Sequence, residues 1–141
     1  AKNLVQDITW TCMSAHKLAI DDTSVDAVSI SFGIRNVSNK PAAISEFSRV
    51  LKQHGQLCIM EFFIPPKGIL GKVFLFYFKE ILPKIGSIFS SKSAYSYLPE
   101  SVANFYSYDD FVKLLRKESF QLIFEKSYLF GCCRLLHLRK K

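Results

Sequence analysis

Glycine is scarce and scattered in this 141-residue chain: six residues, at 33, 55, 68, 71, 86 and 131, with no Gly-x-Gly cluster. The sequence therefore lacks the glycine-rich turn that cradles a nucleotide. No apolar run reaches the roughly 20 residues that cross a bilayer. The longest candidate, Ile69 to Leu82, is interrupted by Lys72, Lys79 and Glu80. The four cysteines suggest neither a disulfide framework nor a zinc spacing, because Cys132 and Cys133 are adjacent and Cys12 and Cys58 are isolated. Cys12 and Cys58 lie in strand-like apolar runs and read as small buried thiols. His16, His54 and His137 are far apart, so no metal site is expected, and the free thiols suit a reducing cytoplasm. Acidic residues are outnumbered 12 to 19 by Lys and Arg, giving a net charge of +7. No motif for reading DNA or RNA accompanies that excess, so nucleic acid is not an expected partner. Two readings of the charge stay open: a solvated face, or attraction to an anionic membrane.

What the chain does have is apolar mass, 49% of its residues, including 13 Phe and 6 Tyr. That composition and length fit a single globular domain. Ile8 to Met13 is β-branched and aromatic, and reads as a short strand. Val25 to Phe32 is a nearly continuous apolar run, as in a parallel strand buried on both faces. From Lys40 to Gln53, Ala43, Phe47, Val50 and Leu51 recur at helical spacing, with His54-Gly55 as the stop. Gln56 to Phe63 returns to strand character, so the three segments make a βαβ unit and imply a parallel α/β sheet. Gly68 to Leu82 reads as a helix with Phe74, Tyr77, Phe78, Ile81 and Leu82 on one broad face. A serine-rich connection at 87–93 and an aromatic stretch at 94–105 follow. Asp109 to Lys117 is amphipathic, and about Phe120 to Leu129 and Cys132 to Leu138 form an antiparallel hairpin. The architecture is thus α/β, an incomplete Rossmann-like sheet, mostly parallel, with a C-terminal antiparallel hairpin and an aromatic helical insertion over about 66–105. No internal repeat or linker divides it, so 1–141 reads as one partial domain.

The segment Ile30-Ser31-Phe32-Gly33-Ile34-Arg35-Asn36-Val37 is more specific. Together with Ser48-Arg49-Val50-Leu51-Lys52, Met60-Glu61-Phe62, Leu82-Pro83-Lys84-Ile85-Gly86 and Tyr95-Ser96-Tyr97-Leu98-Pro99-Glu100-Ser101, it resembles the ubiquinone/menaquinone-biosynthesis C-methyltransferase family. The likeness spans about residues 8 to 138. It implies a class I methyltransferase that moves a methyl group from S-adenosylmethionine to a ring carbon of a polyprenylated benzoquinol or naphthoquinol. It also implies that the front of the cofactor site, a first strand with a glycine-rich turn and an acidic residue after the second strand, is not in this sequence. A homodimer, or a separate N-terminal half, is accordingly an expected partner, because the Val25 to Phe32 strand would otherwise carry a free edge. The rival expectation is a truncated, non-catalytic folding or interaction domain.

Residue roles follow from the same resemblance. Arg35 and Asn36, just past the end of a strand, match the positions that handle the substrate hydroxyl, with Arg35 stabilising the oxyanion and Asn36 orienting a water or the ring. The alternative is that Arg35 pairs with a surface carboxylate and Asn36 caps the next helix. Ser14 and Ala15 match the position that touches adenine, where many relatives have Asp or Asn, and Ser31, Phe32 and Gly33 match a position near the cofactor. Glu61, Phe62, Tyr97 and Ser101 are expected on the substrate side, although Glu61 equally suits a structural pair with an arginine. His137 reads as a satisfied structural histidine. The helix from Gly68 to Leu82 suits either a prenyl tail and a peripheral membrane contact, or a simple cap over the pocket.

Overall fold

The structure, a computed structural model, describes residues 8–64, 68–81 and 100–141. Strand β1 (Val25–Ser31) leads through a 3-10 turn (Ile34–Asn36) to helix α1 (Lys40–Val50) and strand β2 (Leu51–Phe62). Helix α2 (Ile69–Phe76) widens at its end into a π-helical turn (Tyr77–Ile81). Helix α3 (Tyr108–Lys117) precedes strands β3 (Phe120–Tyr128) and β4 (Cys133–Lys140). The strands form one mixed sheet of order β1-β2-β4-β3, with β1 parallel to β2 and both contacts of β4 antiparallel. The last strand therefore enters between β2 and β3.

Local chemistry sets the helix ends. Asn39 Oδ1 accepts the Ala42 N–H at 3.1 Å and starts α1, with Pro41 in the first turn. Ala43, Ile44, Phe47 and Val50 then face inward at helical spacing. Lys140 Nζ closes the other end by donating to the Ser48 and Leu51 carbonyls at 2.6 and 2.8 Å, a cation where the helix dipole is negative. Ser107 Oγ accepts the Asp110 N–H to cap α3, whose first turn carries Asp109 and Asp110 and whose last turn carries Arg116 and Lys117. Leu57 and Ile59 of β2, opposite Leu138 and Leu136 of β4, pack with Phe47 of α1 and Phe111 and Leu115 of α3 in one core.

A network on α1 anchors the preceding loop. Arg49 donates to Glu46, to Asp22 and to the Leu18 and Ile20 carbonyls, while the Leu18 N–H donates to Glu46 Oε2 at 2.8 Å. The Arg49 guanidinium first, and then the Leu18 N–H, hold the Glu46 carboxyl down at about 2, from 4.5. Arg49, within the motif at 48–52, is thus the clasp between α1 and the loop leading into β1.

The architecture departs from expectation at four places. Residues 8–13 form no strand, and Trp10 is 85% exposed. Among the described residues nothing pairs with them, and a β-branched run becomes a strand only beside a partner. Cys12, expected to be buried, is exposed for the same reason. Strand β1 is not buried on both faces: as an edge strand with one described neighbour, its residues are half-buried or exposed. Helix α1 stops at Val50 rather than Gln53, because Leu51 turns extended and the register jumps from Val25↔Leu51 to Ala27↔Gln56. That bulge is held by His54 at φ 63° and by Gly55, where a Cβ would stand 2.8 Å from the Lys52 carbonyl. On α2 and its π-helical turn, Phe74 points inward against Cys132, whereas Tyr77 and Ile81 are exposed, so these three residues expected on one face do not share it; the Phe78 side chain and Leu82 lie outside what is described.

Candidate active site

Along β2, Leu57, Ile59 and Glu61 alternate onto the buried side, with Phe63 buried just past its end, which puts a carboxylate in an apolar row. A buried carboxylate needs a charge partner and donors. Glu61 has both. Its Oε1 accepts from Arg35 Nη1 at 2.5 Å and from the Phe62 N–H at 2.8 Å, and its Oε2 accepts the Arg35 backbone N–H at 3.3 Å. The two side chains are 3% and 0% exposed.

The chain delivers Arg35 there by a sharp turn. Phe32, at φ 54°, still donates its N–H to the Met60 carbonyl, and a 3-10 turn then swings Arg35 over the end of β2. Arg35 Nη1 also donates back to the Phe32 carbonyl at 3.0 Å, and Nε donates to Ser101 Oγ at 3.2 Å. These bonds occupy Nε and Nη1 and leave Nη2 without a bond to a described residue. Phe32 and Phe62 stack with centroids 5.1 Å apart beside the pair. Two residues on from Glu61, Phe63 meets Phe105, Tyr108 and Phe111 at 5.5, 5.9 and 5.5 Å, an aromatic cluster of the main core.

The fold thus brings together Arg35, Glu61, Phe32, Phe62 and Ser101. Asn36 follows Arg35 in the 3-10 turn and is exposed; Asn39, not Asn36, caps α1. Arg35 pairs with a buried carboxylate rather than a surface one. Ser31 is exposed at the carboxyl end of β1, next to half-buried Gly33. Ser14 bridges to Lys17 in a turn, and Ala15 packs against the main core. Tyr97 and Leu98 lie outside the described residues. His137 shares a 3.0 Å hydrogen bond with Gln56 across β2 and β4, which matches the structural reading.

A second polar cluster was not anticipated. Arg134, cross-strand neighbour of Glu61, stacks 3.9 Å from the Tyr108 ring and donates to Glu125 Oε1 at 3.2 Å, and the Tyr108 hydroxyl also donates to Glu125. The only hint in the sequence was a charged residue inside an otherwise apolar strand. The row Arg35, Glu61, Arg134, Glu125 alternates in sign across the strand ends, so it binds no net charge of its own.

The sequence matches the ubiE/COQ5 methyltransferase family over residues 1–141. The chain belongs to the ubiE/COQ5 methyltransferase family. Within that family it is 39% identical over 142 residues to the ubiquinone/menaquinone biosynthesis C-methyltransferase UbiE of Campylobacter jejuni strain 81-176, covering 99% of this chain and 60% of that protein. It is 38% identical over 128 residues to the demethylmenaquinone methyltransferase of Thermotoga maritima, covering 89% of this chain and 56% of that one. The chain therefore spans between about half and 60% of the length of the relatives it matches. A SAM-dependent methyltransferase from Aquifex aeolicus superposes with a TM-score of 0.63 at 15% identity, over 96% of this chain and 56% of that one. At that identity the likeness concerns the fold, a Rossmann-like α/β sheet.

Proposed function

We propose that the whole protein is a C-methyltransferase of quinone biosynthesis, acting on a ring carbon of a polyprenylated benzoquinol or naphthoquinol, and that this chain supplies its substrate side. S-adenosylmethionine supplies an electrophilic methyl group; the ring carbon takes it and gives up its proton. The residues present fit the edge of such a cofactor. Ser31, exposed at the carboxyl end of parallel β1, and Phe32, whose left-handed backbone opens the strand end, stand where open α/β sheets bind ligands. Ser14 and Ala15 are the matching positions for the adenine side.

The observation that carries the reading is the buried Arg35–Glu61 pair at that strand end. Ring alkylation is easiest when a neighbouring hydroxyl becomes phenolate. A guanidinium fixed by Glu61, Ser101 and the Phe32 carbonyl, with Nη2 left over, is a preorganised donor for that oxygen. Asn36 beside it orients the ring or a water that receives the proton. Phe62, with Tyr97 and Ser101, walls the ring. The tail of such a substrate lies in a bilayer, which supports a cytoplasmic enzyme in peripheral membrane contact. The exposed edge of β1 is where strands from the relatives' additional length, or from a second copy, would join.

The test is methyl transfer to a demethylated prenyl quinol by the full-length protein. Asn36 is exposed, so Asn36→Ala should keep the fold yet lower kcat by roughly 100-fold, the usual loss for one oxyanion-type contact. An Asn36→Ala enzyme with unchanged kcat, or a wild-type protein with no transfer, would refute the assignment.

A further inference from the structure

Phe32 immediately follows β1 with φ 54°, in the left-handed region that bulky side chains avoid. The turn that delivers Arg35 uses this backbone, but it does not call for a phenylalanine. Glycine or asparagine would take the conformation at lower cost. A glycine stands next door, yet Gly33 has an ordinary φ of −114°, so the permissive residue is not where the strain falls. Gly33 is kept small by Ile30 instead, whose side chain would lie 3.2 Å from an added Cβ. The other bulky apolar residues with left-handed backbone, Leu129 and Phe130, sit in the turn between β3 and β4, where reversing the chain accounts for them. The ring at position 32 therefore has to be explained by what it does.

Burial does not explain it. The residue is 38% exposed, and Phe62 is the one described ring that meets it, at 5.1 Å with the planes 33° apart. Both of its backbone groups are fixed: the N–H donates to the Met60 carbonyl at 2.8 Å, and the carbonyl accepts Arg35 Nη1 at 3.0 Å. A half-open ring is thus held on a strained backbone that cannot relax, at the carboxyl end of a parallel strand, where open α/β sheets bind ligands. The same residue steadies the Arg35 guanidinium through its carbonyl. An aromatic face and a phenolate donor on adjoining groups are the complement of a flat ring that bears a hydroxyl.

We infer that Phe32 is a specificity-determining residue: its ring stacks on the flat ring of the substrate while its carbonyl holds the guanidinium that meets the ring oxygen. This rests on the quinol reading above and turns the Phe32 ring toward the substrate, leaving its backbone at the cofactor edge. Equilibrium dialysis with the full-length protein tests it, using a prenylated benzenediol and the cyclohexanediol that carries the same tail. Wild type should prefer the flat diol. Phe32→Leu keeps an apolar side chain at the same backbone cost, which Leu129 already bears, but offers no flat face. The ratio of the two affinities should fall roughly five-fold in Phe32→Leu and in Phe32→Met, the size of one ring stack. Phe32→Tyr should restore the ratio, a rescue that loss of packing alone would not require. Equal binding of the two diols by wild type, a ratio unchanged in Phe32→Leu, or a loss confined to the affinity for S-adenosylmethionine in calorimetry would each overturn the inference. A wild-type protein that prefers the flat diol and loses that preference in Phe32→Leu, yet transfers no methyl group, would instead sink the proposed reaction and leave this assignment standing.

Discussion

Replacing Arg35 by methionine removes the charge partner of a carboxylate that is 0% exposed, yet keeps most of the side chain's bulk. Two backbone donors, from Arg35 itself and Phe62, remain on Glu61. The loss should therefore fall at the lower end of the range for breaking a buried pair, about 3 kcal/mol. With a urea slope of about 2 kcal/mol per molar, the unfolding midpoint should drop by roughly 1.5 M. The companion variant decides the cause. In Arg35→Met/Glu61→Leu no charge is left in the apolar row of β2, and most of the lost stability should return, to within about 1 kcal/mol of wild type. Methyl transfer should not return with it. An Arg35→Met midpoint equal to wild type would refute the pair as a buried interaction. A double variant as unstable as the single one would show that the guanidinium's packing, not its charge, is what matters.

Two further outcomes follow from the ionisable groups. The Glu46 carboxyl is depressed from 4.5 to about 2. Its contribution to stability is thus fully present above about pH 4.5 and lost as the pH falls toward 2. Acid titration of unfolding should show that component in wild type and not in Glu46→Gln; identical acid limbs would remove Glu46 from the clasp. Desolvation first, and then the neighbouring Cys133 for Cys132 and Glu61 for Cys133, raise both buried thiols. Mass spectrometry after brief iodoacetamide treatment of native protein should find exposed Cys12 modified and Cys132 and Cys133 untouched until denaturant is added. Early labelling of the pair would contradict their burial.

The elements read most readily from sequence are those whose pattern is local. The inward residues of α1 recur at helical spacing, Ser107 precedes two aspartates at the start of α3, and the β3–β4 hairpin is two apolar runs with a short join. Arg35, Glu61 and Ser101 are named by a motif resemblance, and an arginine partner for Glu61 is among the expectations, but that the partner is Arg35, with Ser101 on the same guanidinium, is not legible. Arg35 and Glu61 are 26 residues apart, and Arg35 and Ser101 are 66 apart, so only the folded sheet end brings them together. Exposure was the weakest inference. The run at Val25 has the composition of a buried strand, yet burial is conferred by neighbours, and β1 has one among the described residues. The run at Ile8 has the same chemistry and, among the described residues, no neighbour at all. Arg134 went unread because a single charge in a strand does not announce the ring it will stack on.

Strand order has a consequence for how the protein is made. β4 lies between β2 and β3, yet the ribosome delivers it after both, and its pairs with β2 join residues as distant as Gln56 and Arg139. Until Cys133–Lys140 emerges, β2 and β3 have no ladder between them, and α1 lacks the lysine that closes its last turn. Assembly around Glu61 is therefore a late, long-range event, of the kind that slows folding and prolongs exposure of apolar strands. A nascent chain stopped short of this strand would leave β2 and β3 with no strand between them, so a truncation here splits the described sheet rather than trimming its margin.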